Sequence, residues 1–88
     1  DNALSVEAAK HKGIVSEVAG HAEVLLVPDI EAGNIFAKGI VYLTNNRTAG
    51  LVLGAKAPIV LTSRADSAET KLLSIASAVA LAAYKGRK

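Results

Sequence analysis

The stretch Gly50-Leu-Val-Leu-Gly-Ala-Lys-Ala-Pro-Ile-Val-Leu-Thr-Ser-Arg-Ala-Asp-Ser-Ala-Glu69 decides how the rest of the chain is read. Two short apolar runs, Gly50 to Leu53 and Ile59 to Leu61, flank Gly54-Ala-Lys-Ala57. A connection that short joins strands as a hairpin, so the second run is expected to lie antiparallel to the first. Pro58 suits a strand start, where its missing donor matters least. After Thr62 the pattern changes period. Ser67 to Tyr84 is rich in Ala and Leu, and Leu72, Ile75, Ala76, Val79 and Ala83 form a stripe at helical spacing. Leu73, Ala80 and Leu81 widen that stripe, which predicts a long helix covered on more than one side.

Working backward from the hairpin, Asn45, Asn46 and Arg47 read as the turn out of a helix over about Ile30 to Asn45, with Asp29 as its cap. Before it, Glu23 to Val27 is continuously apolar after its first residue and is stopped by Pro28. A run apolar on both faces suits a central strand. Strand, helix and strand at this spacing predict a βαβ unit. At the start, Asn2 to Lys12 is expected to be helical, capped by Asp1 or Asn2 and ended by Gly13. The class is α/β: a βαβ unit, a hairpin and a long C-terminal helix.

Composition narrows the function. Eighty-eight residues make one domain or part of one, and a chain this short buries only about 60–65% of its unfolded surface. The charge of +2, from 10 basic and 8 acidic residues, is weak evidence for a polyanionic partner. Lys85, Arg87 and Lys88 suit a helix C-terminus. Three aromatics, Phe36, Tyr42 and Tyr84, are too few for a base-stacking platform, so no nucleic-acid partner is expected. Without Cys there is no disulfide framework or thiolate metal site. His11 and His21 stand apart from carboxylates at ligand spacing and read as surface or loop residues, so no metal is expected. The apolar stretch from Ile75 to Tyr84 is too short and Ala-rich to span a bilayer. No membrane partner is expected, and cytoplasm is the default compartment. A first residue other than Met suggests a processed chain or a fragment.

Two junctions carry candidate chemistry. Ser63 and Arg64 follow the end of a strand, and a helix starts within three residues. Ligands of open α/β sheets bind outside the strands' carboxyl ends, a helix N-terminus offers free amides, and arginine offers a planar fork for an oxyanion. The plainer alternative is that Asp66 and Glu69 form a capping pair, Ser67 caps, and Arg64 pairs with Asp66 or another carboxylate. The second junction is Val27-Pro28-Asp29-Ile30-Glu31-Ala32-Gly33-Asn34. Gly33 in a first helical turn costs about 1 kcal/mol against Ala, so a close approach of a ligand or of backbone explains it better than propensity does; the alternative is a cap plus a packing glycine. Lys56, Arg47 and Lys38 read as solvated charges.

Four stretches, Asp1-Asn-Ala-Leu-Ser5, Ala8-Ala-Lys-His-Lys-Gly13, Leu25-Leu-Val-Pro-Asp-Ile-Glu-Ala-Gly-Asn34 and Gly54-Ala-Lys-Ala-Pro-Ile-Val-Leu-Thr-Ser-Arg-Ala-Asp66, resemble the C-terminal region of phosphate butyryltransferases, in order and over nearly the whole chain. That family is similar in turn to the phosphate acetyltransferases. The resemblance implies that residues 1–88 are the C-terminal segment of a longer phosphotransacylase whose N-terminal remainder is absent here. It implies an isocitrate/isopropylmalate dehydrogenase-like α/β/α fold with two domains flanking a cleft, and a homo-oligomer. The implied reaction is butyryl-coenzyme A plus phosphate giving butyryl phosphate plus coenzyme A, with no metal or bound cofactor. Ser63 and Arg64 fall on the functional Ser-Arg pair of the acetyltransferase branch, Arg64 toward phosphate and Ser63 toward the thioester. The branch's acidic residue six positions after that arginine falls on Thr70, which cannot act as a base, leaving its neighbour Glu69 as the candidate. Pro28, Gly33 and Asn34 match the family's Pro-Asp-x-x-x-Gly-Asn pattern and are implied to line the substrate cleft. A segment without its second cleft wall is expected to be inactive alone. The competing functions are a non-catalytic binding or assembly module of the same fold and a small anion-binding protein.

Overall fold

The computed structural model describes residues 1–86 and divides into two compact units, Asp1–Asn34 and Ile35 onward. In the first, α1 spans Val6–His11. Ser5, not Asp1 or Asn2, is its cap: the Ser5 hydroxyl accepts the Ala8 N–H at 3.1 Å, three residues on, as a capping side chain does. The helix therefore starts about one turn later than the Asn2 expected. Asp1 is drawn elsewhere, accepting from Asn2 N–H at 2.7 Å and from Lys12 Nζ at 2.6 Å. Gly13 ends α1 at φ +67°, a left-handed conformation that suits glycine.

The chain then returns over the start of α1, with the Gly20 N–H on the Asn2 carbonyl at 2.8 Å and the Ala22 N–H on that of Ala3 at 3.2 Å. Gly20 needs to be glycine twice over. Its φ is +81°, and a Cβ there would stand 2.6 Å from the Val6 nitrogen. Ala9 is the buried apolar residue of this unit.

Residues 24–27 correct the sequence reading. They form no strand, and Val24 and Leu26 are 84% and 96% exposed. A run apolar on both faces needs strands to pair with, and the first unit contains none. The βαβ unit is accordingly absent among the described residues. The Asp29 cap does form: its carboxylate accepts the Ala32 N–H at 2.8 Å and opens α2, Ile30–Leu43, which starts in this unit and runs into the second.

The second unit holds the hairpin. Strands β1, Leu51–Val52, and β2, Ile59–Val60, pair antiparallel with Leu51 opposite Val60 and Val52 opposite Ile59. Gly54 turns between them at φ +97°. Helix α3, Ala68–Lys85, packs across both strands. Its covered face is Thr70, Leu73, Ser77, Ala78 and Leu81, half-buried around the fully buried Ser74. These positions follow the helical repeat closely. Ser74 fastens helix to hairpin: its hydroxyl accepts the Gly50 N–H at 2.9 Å and donates to the Thr70 carbonyl at 2.7 Å. Lys85 reaches back to the Ala55 carbonyl at 3.0 Å.

The stripe expected to be buried is the open one. Leu72, Ile75 and Val79 are 66%, 54% and 64% exposed, and Ala76, Ala80 and Ala83 are exposed with them. Helix α3 is apolar around most of its circumference, and a two-stranded sheet covers one side of a helix. Arg87 and Lys88, read above as part of the helix tail, lie outside the described residues. The architecture is a small α/β arrangement built from a two-stranded antiparallel sheet and a long helix.

Candidate functional site

The turn between β2 and α3 carries Ser63 and Arg64. It is closed at both ends: the Ser63 N–H donates to Asp66 Oδ2 at 2.7 Å, and the Asp66 N–H donates to the Ser63 carbonyl at 3.1 Å. The Ala65 N–H reaches the Ser63 hydroxyl oxygen at 3.3 Å, so that oxygen accepts locally while its O–H remains able to donate outward. Arg64 is exposed, and no hydrogen bond or ion pair among the described residues engages its guanidinium. The pairing of Arg64 with Asp66 that the spacing allowed does not occur among the described residues; Asp66 Oδ2 accepts from the Ser63 amide instead.

Helix α3 is capped by Ser67, whose hydroxyl accepts the Thr70 N–H at 3.1 Å and donates to Thr70 Oγ1 at the same distance. The capping alternative is thus realised by Ser67 rather than by Asp66 with Glu69. The amides of Ala68 and Glu69 retain no intrahelical partner, as at any helix start.

Glu69 is bound to Arg47, Nε to Oε1 at 2.6 Å, across twenty-two positions of sequence. Spacing gives no sign of this pair; Arg47 is the surface charge expected, and it is paired. Both side chains are exposed, so the pair is worth about 0.2–1 kcal/mol. It borders a polar cavity of about 270 Å³ lined also by Asn45, Asn46, Ser67 and Thr70. A second, apolar cavity of about 330 Å³ has Phe36, Ile40, Val41 and Ala49 on its walls and Asp66 at its edge.

The remaining candidates, Pro28, Gly33 and Asn34, belong to the first unit. Pro28 lies in an exposed bend before α2. Gly33 donates to the Asp29 carbonyl at 3.1 Å, and a Cβ on it would stand 3.0 Å from a methyl of Val27. The close neighbour anticipated at Gly33 is therefore a side chain of its own unit. Asn34 is exposed on α2 with its amide unengaged. His11 and His21 are exposed, and among the described residues no group of His, Asp or Glu converges as a metal site. No helix among them is long and apolar enough to cross a membrane.

A family model described as phosphate acetyl/butaryl transferase matches residues 1–81. A phosphate acetyltransferase of Rhizobium meliloti is 61% identical over 85 residues, 97% of this chain and 27% of that protein. A phosphate butyryltransferase of Clostridium beijerinckii is 54% identical over 83 residues, covering 94% and 28%. A phosphate acetyltransferase of Thermotoga maritima is 59% identical over 76 residues, covering 86% and 26%. The chain spans about a quarter of the length of these relatives. Their names divide between acetyl and butyryl at similar identities, so the likeness reaches the transferase class and stops short of the acyl group.

Proposed function

The chain belongs to the phosphate acetyl/butaryl transferase family, and on that premise we propose that it is the C-terminal segment of an enzyme moving a short acyl group, butyryl, between coenzyme A and inorganic phosphate. The observation that carries the reading is Arg64: a guanidinium with no partner among the described residues, on a closed turn at the entrance to α3. An arginine left unpaired beside a helix N-terminus keeps its full donor fork for an oxyanion.

The reaction then proceeds by direct displacement. A phosphate oxygen held by Arg64 attacks the thioester carbonyl carbon, forming the C–O bond. Negative charge gathers on the carbonyl oxygen, where the same guanidinium offsets it. The C–S bond breaks and the thiolate departs, with the Ser63 O–H donating toward it. In reverse, Glu69 takes the coenzyme A thiol proton through Oε2, since Oε1 is held by Arg47. Holding both reactants in one orientation supplies much of the acceleration. Pro28, Gly33 and Asn34 line the substrate cleft. The enclosing structure is a two-domain, dehydrogenase-like α/β/α fold assembled as a homo-oligomer in the cytoplasm, and the reaction uses no bound cofactor.

The test is Arg64→Ala in the intact gene product, assayed as thiol release from butyryl-coenzyme A. A fall in kcat/KM on the order of 10²- to 10³-fold is expected, as when a donor to developing charge is removed. Near-normal turnover with unchanged phosphate KM refutes the assignment.

A further inference from the structure

We propose that Asp66 is the positioning residue for Arg64, closing with its carboxylate the turn that carries the guanidinium. The inference rests on the phosphate-holding role given to Arg64 above. Among the described residues nothing orients the Arg64 side chain: it has no ion pair, no hydrogen bond and no burial. The turn therefore sets where that side chain starts and the direction of its Cα–Cβ bond, and so the region the guanidinium can reach. That backbone lies between Ser63 and Asp66, and these two residues are tied to each other twice. The Asp66 N–H reaches the Ser63 carbonyl at 3.1 Å, which any residue but proline at position 66 can supply. The Ser63 N–H reaches Asp66 Oδ2 at 2.7 Å, which only an acceptor side chain of that length can supply. At 2.7 Å the second bond has the short length of a bond to a charged acceptor, and it is the stronger of the two.

The same contact answers a question that the sequence left open. A carboxylate two positions from the phosphate-binding arginine is, on charge alone, an odd neighbour: paired with Arg64 it would occupy the fork that phosphate needs. Asp66 instead turns Oδ2 to the Ser63 amide and makes no bond to the guanidinium, which orders Ser63 and leaves Arg64 open. Ser63 and Arg64 are thereby placed as one piece, and a shift in the turn displaces both. Misplacement of a reacting group by about 1 Å costs on the order of 10²-fold in rate.

The experiment uses the intact gene product and measures kcat and the phosphate KM separately, with the Ser63 amide followed by NMR or hydrogen exchange. Asp66→Ala is expected to lower kcat/KM for phosphate by roughly 10- to 100-fold and to speed exchange of the Ser63 amide. The KM for butyryl-coenzyme A is expected to change less. Asp66→Asn, which keeps one acceptor oxygen at the same reach, recovers most of the loss. In an Arg64→Ala background, Asp66→Ala adds much less than its own loss, only the part that runs through Ser63, because the Arg64 side chain is already gone; a full additive loss there overturns the inference, as does parent-like kcat/KM in the single variant. Should Asp66→Ala not fold, Asp66→Glu keeps the charge and displaces the oxygens by one methylene; parent-like phosphate kinetics then count against the proposal and a tenfold loss supports it. Inactive Arg64→Ala beside unaffected Asp66→Ala removes only the positioning role. Active Arg64→Ala removes the phosphate site and this inference together.

Discussion

Replacing Ser74 by Ala takes away the one fully buried side chain of the described chain and the acceptor that ties β1 to α3. The Gly50 N–H then points into protein with nothing to receive it. An orphaned buried donor costs about 1–3 kcal/mol. Alanine recovers about 0.5 kcal/mol through its better helix propensity, and the lost bond to the Thr70 carbonyl is a weak local one that competes with the helix ladder. The net expectation is about 1–2 kcal/mol, localised at the hairpin. Gly50 cannot move aside to compensate, because the Leu61 carbonyl lies where a Cβ on Gly50 would sit, and the Gly50 carbonyl accepts the Leu61 N–H at 3.2 Å. Amide hydrogen exchange on the intact gene product reads this directly: Gly50 and Leu61 should exchange roughly 5- to 30-fold faster, the population change that corresponds to 1–2 kcal/mol. Ser77→Ala, one turn along the same face at a half-buried serine without a hydrogen bond, is the control and should stay within about 0.5 kcal/mol. Equal effects from the two variants, or unchanged exchange at Gly50 in Ser74→Ala, would refute the view that Ser74 joins helix to hairpin.

Two further outcomes separate competing roles. If Glu69 is the proton acceptor, Glu69→Gln lowers kcat on the order of 10²-fold or more, whereas Arg47→Ala, which removes only the exposed ion pair, changes stability by no more than about 1 kcal/mol; Glu69→Gln turning over within threefold of the parent would leave Glu69 as half of an ion pair. The 88 residues by themselves should show no thiol release with butyryl-coenzyme A and phosphate, and should bind a hydrophobic dye, because Leu72, Ile75 and Val79 stand open on α3; measurable turnover by the isolated chain would contradict this.

Local rules predicted the elements that depend on local rules. The hairpin was legible because Gly54 to Ala57 is too short to connect parallel strands, and α3 because its composition and its Ser67 start leave little alternative. The Asp29 cap and the Gly13 stop were legible for the same reason. The lack of a strand at residues 24–27 was not legible, since an apolar run states what it needs to bury and not whether partners are at hand. Which face of α3 is covered was likewise beyond reach: two apolar stripes run along it, and the pattern does not say which one meets the hairpin.

By itself the sequence determined the α/β class, the long terminal helix, the turn bearing Ser63 and Arg64, and kinship with the acyl-phosphate transferases. Tertiary structure alone decided that Glu69 meets Arg47 and that Ser74 is the buried junction. The division has a physical cause. Caps, turns and helical periodicity are satisfied within a few residues, so neighbours in sequence suffice to read them. The choice among several chemically equivalent carboxylates, or between two apolar faces of one helix, is made by distances between segments far apart along the chain.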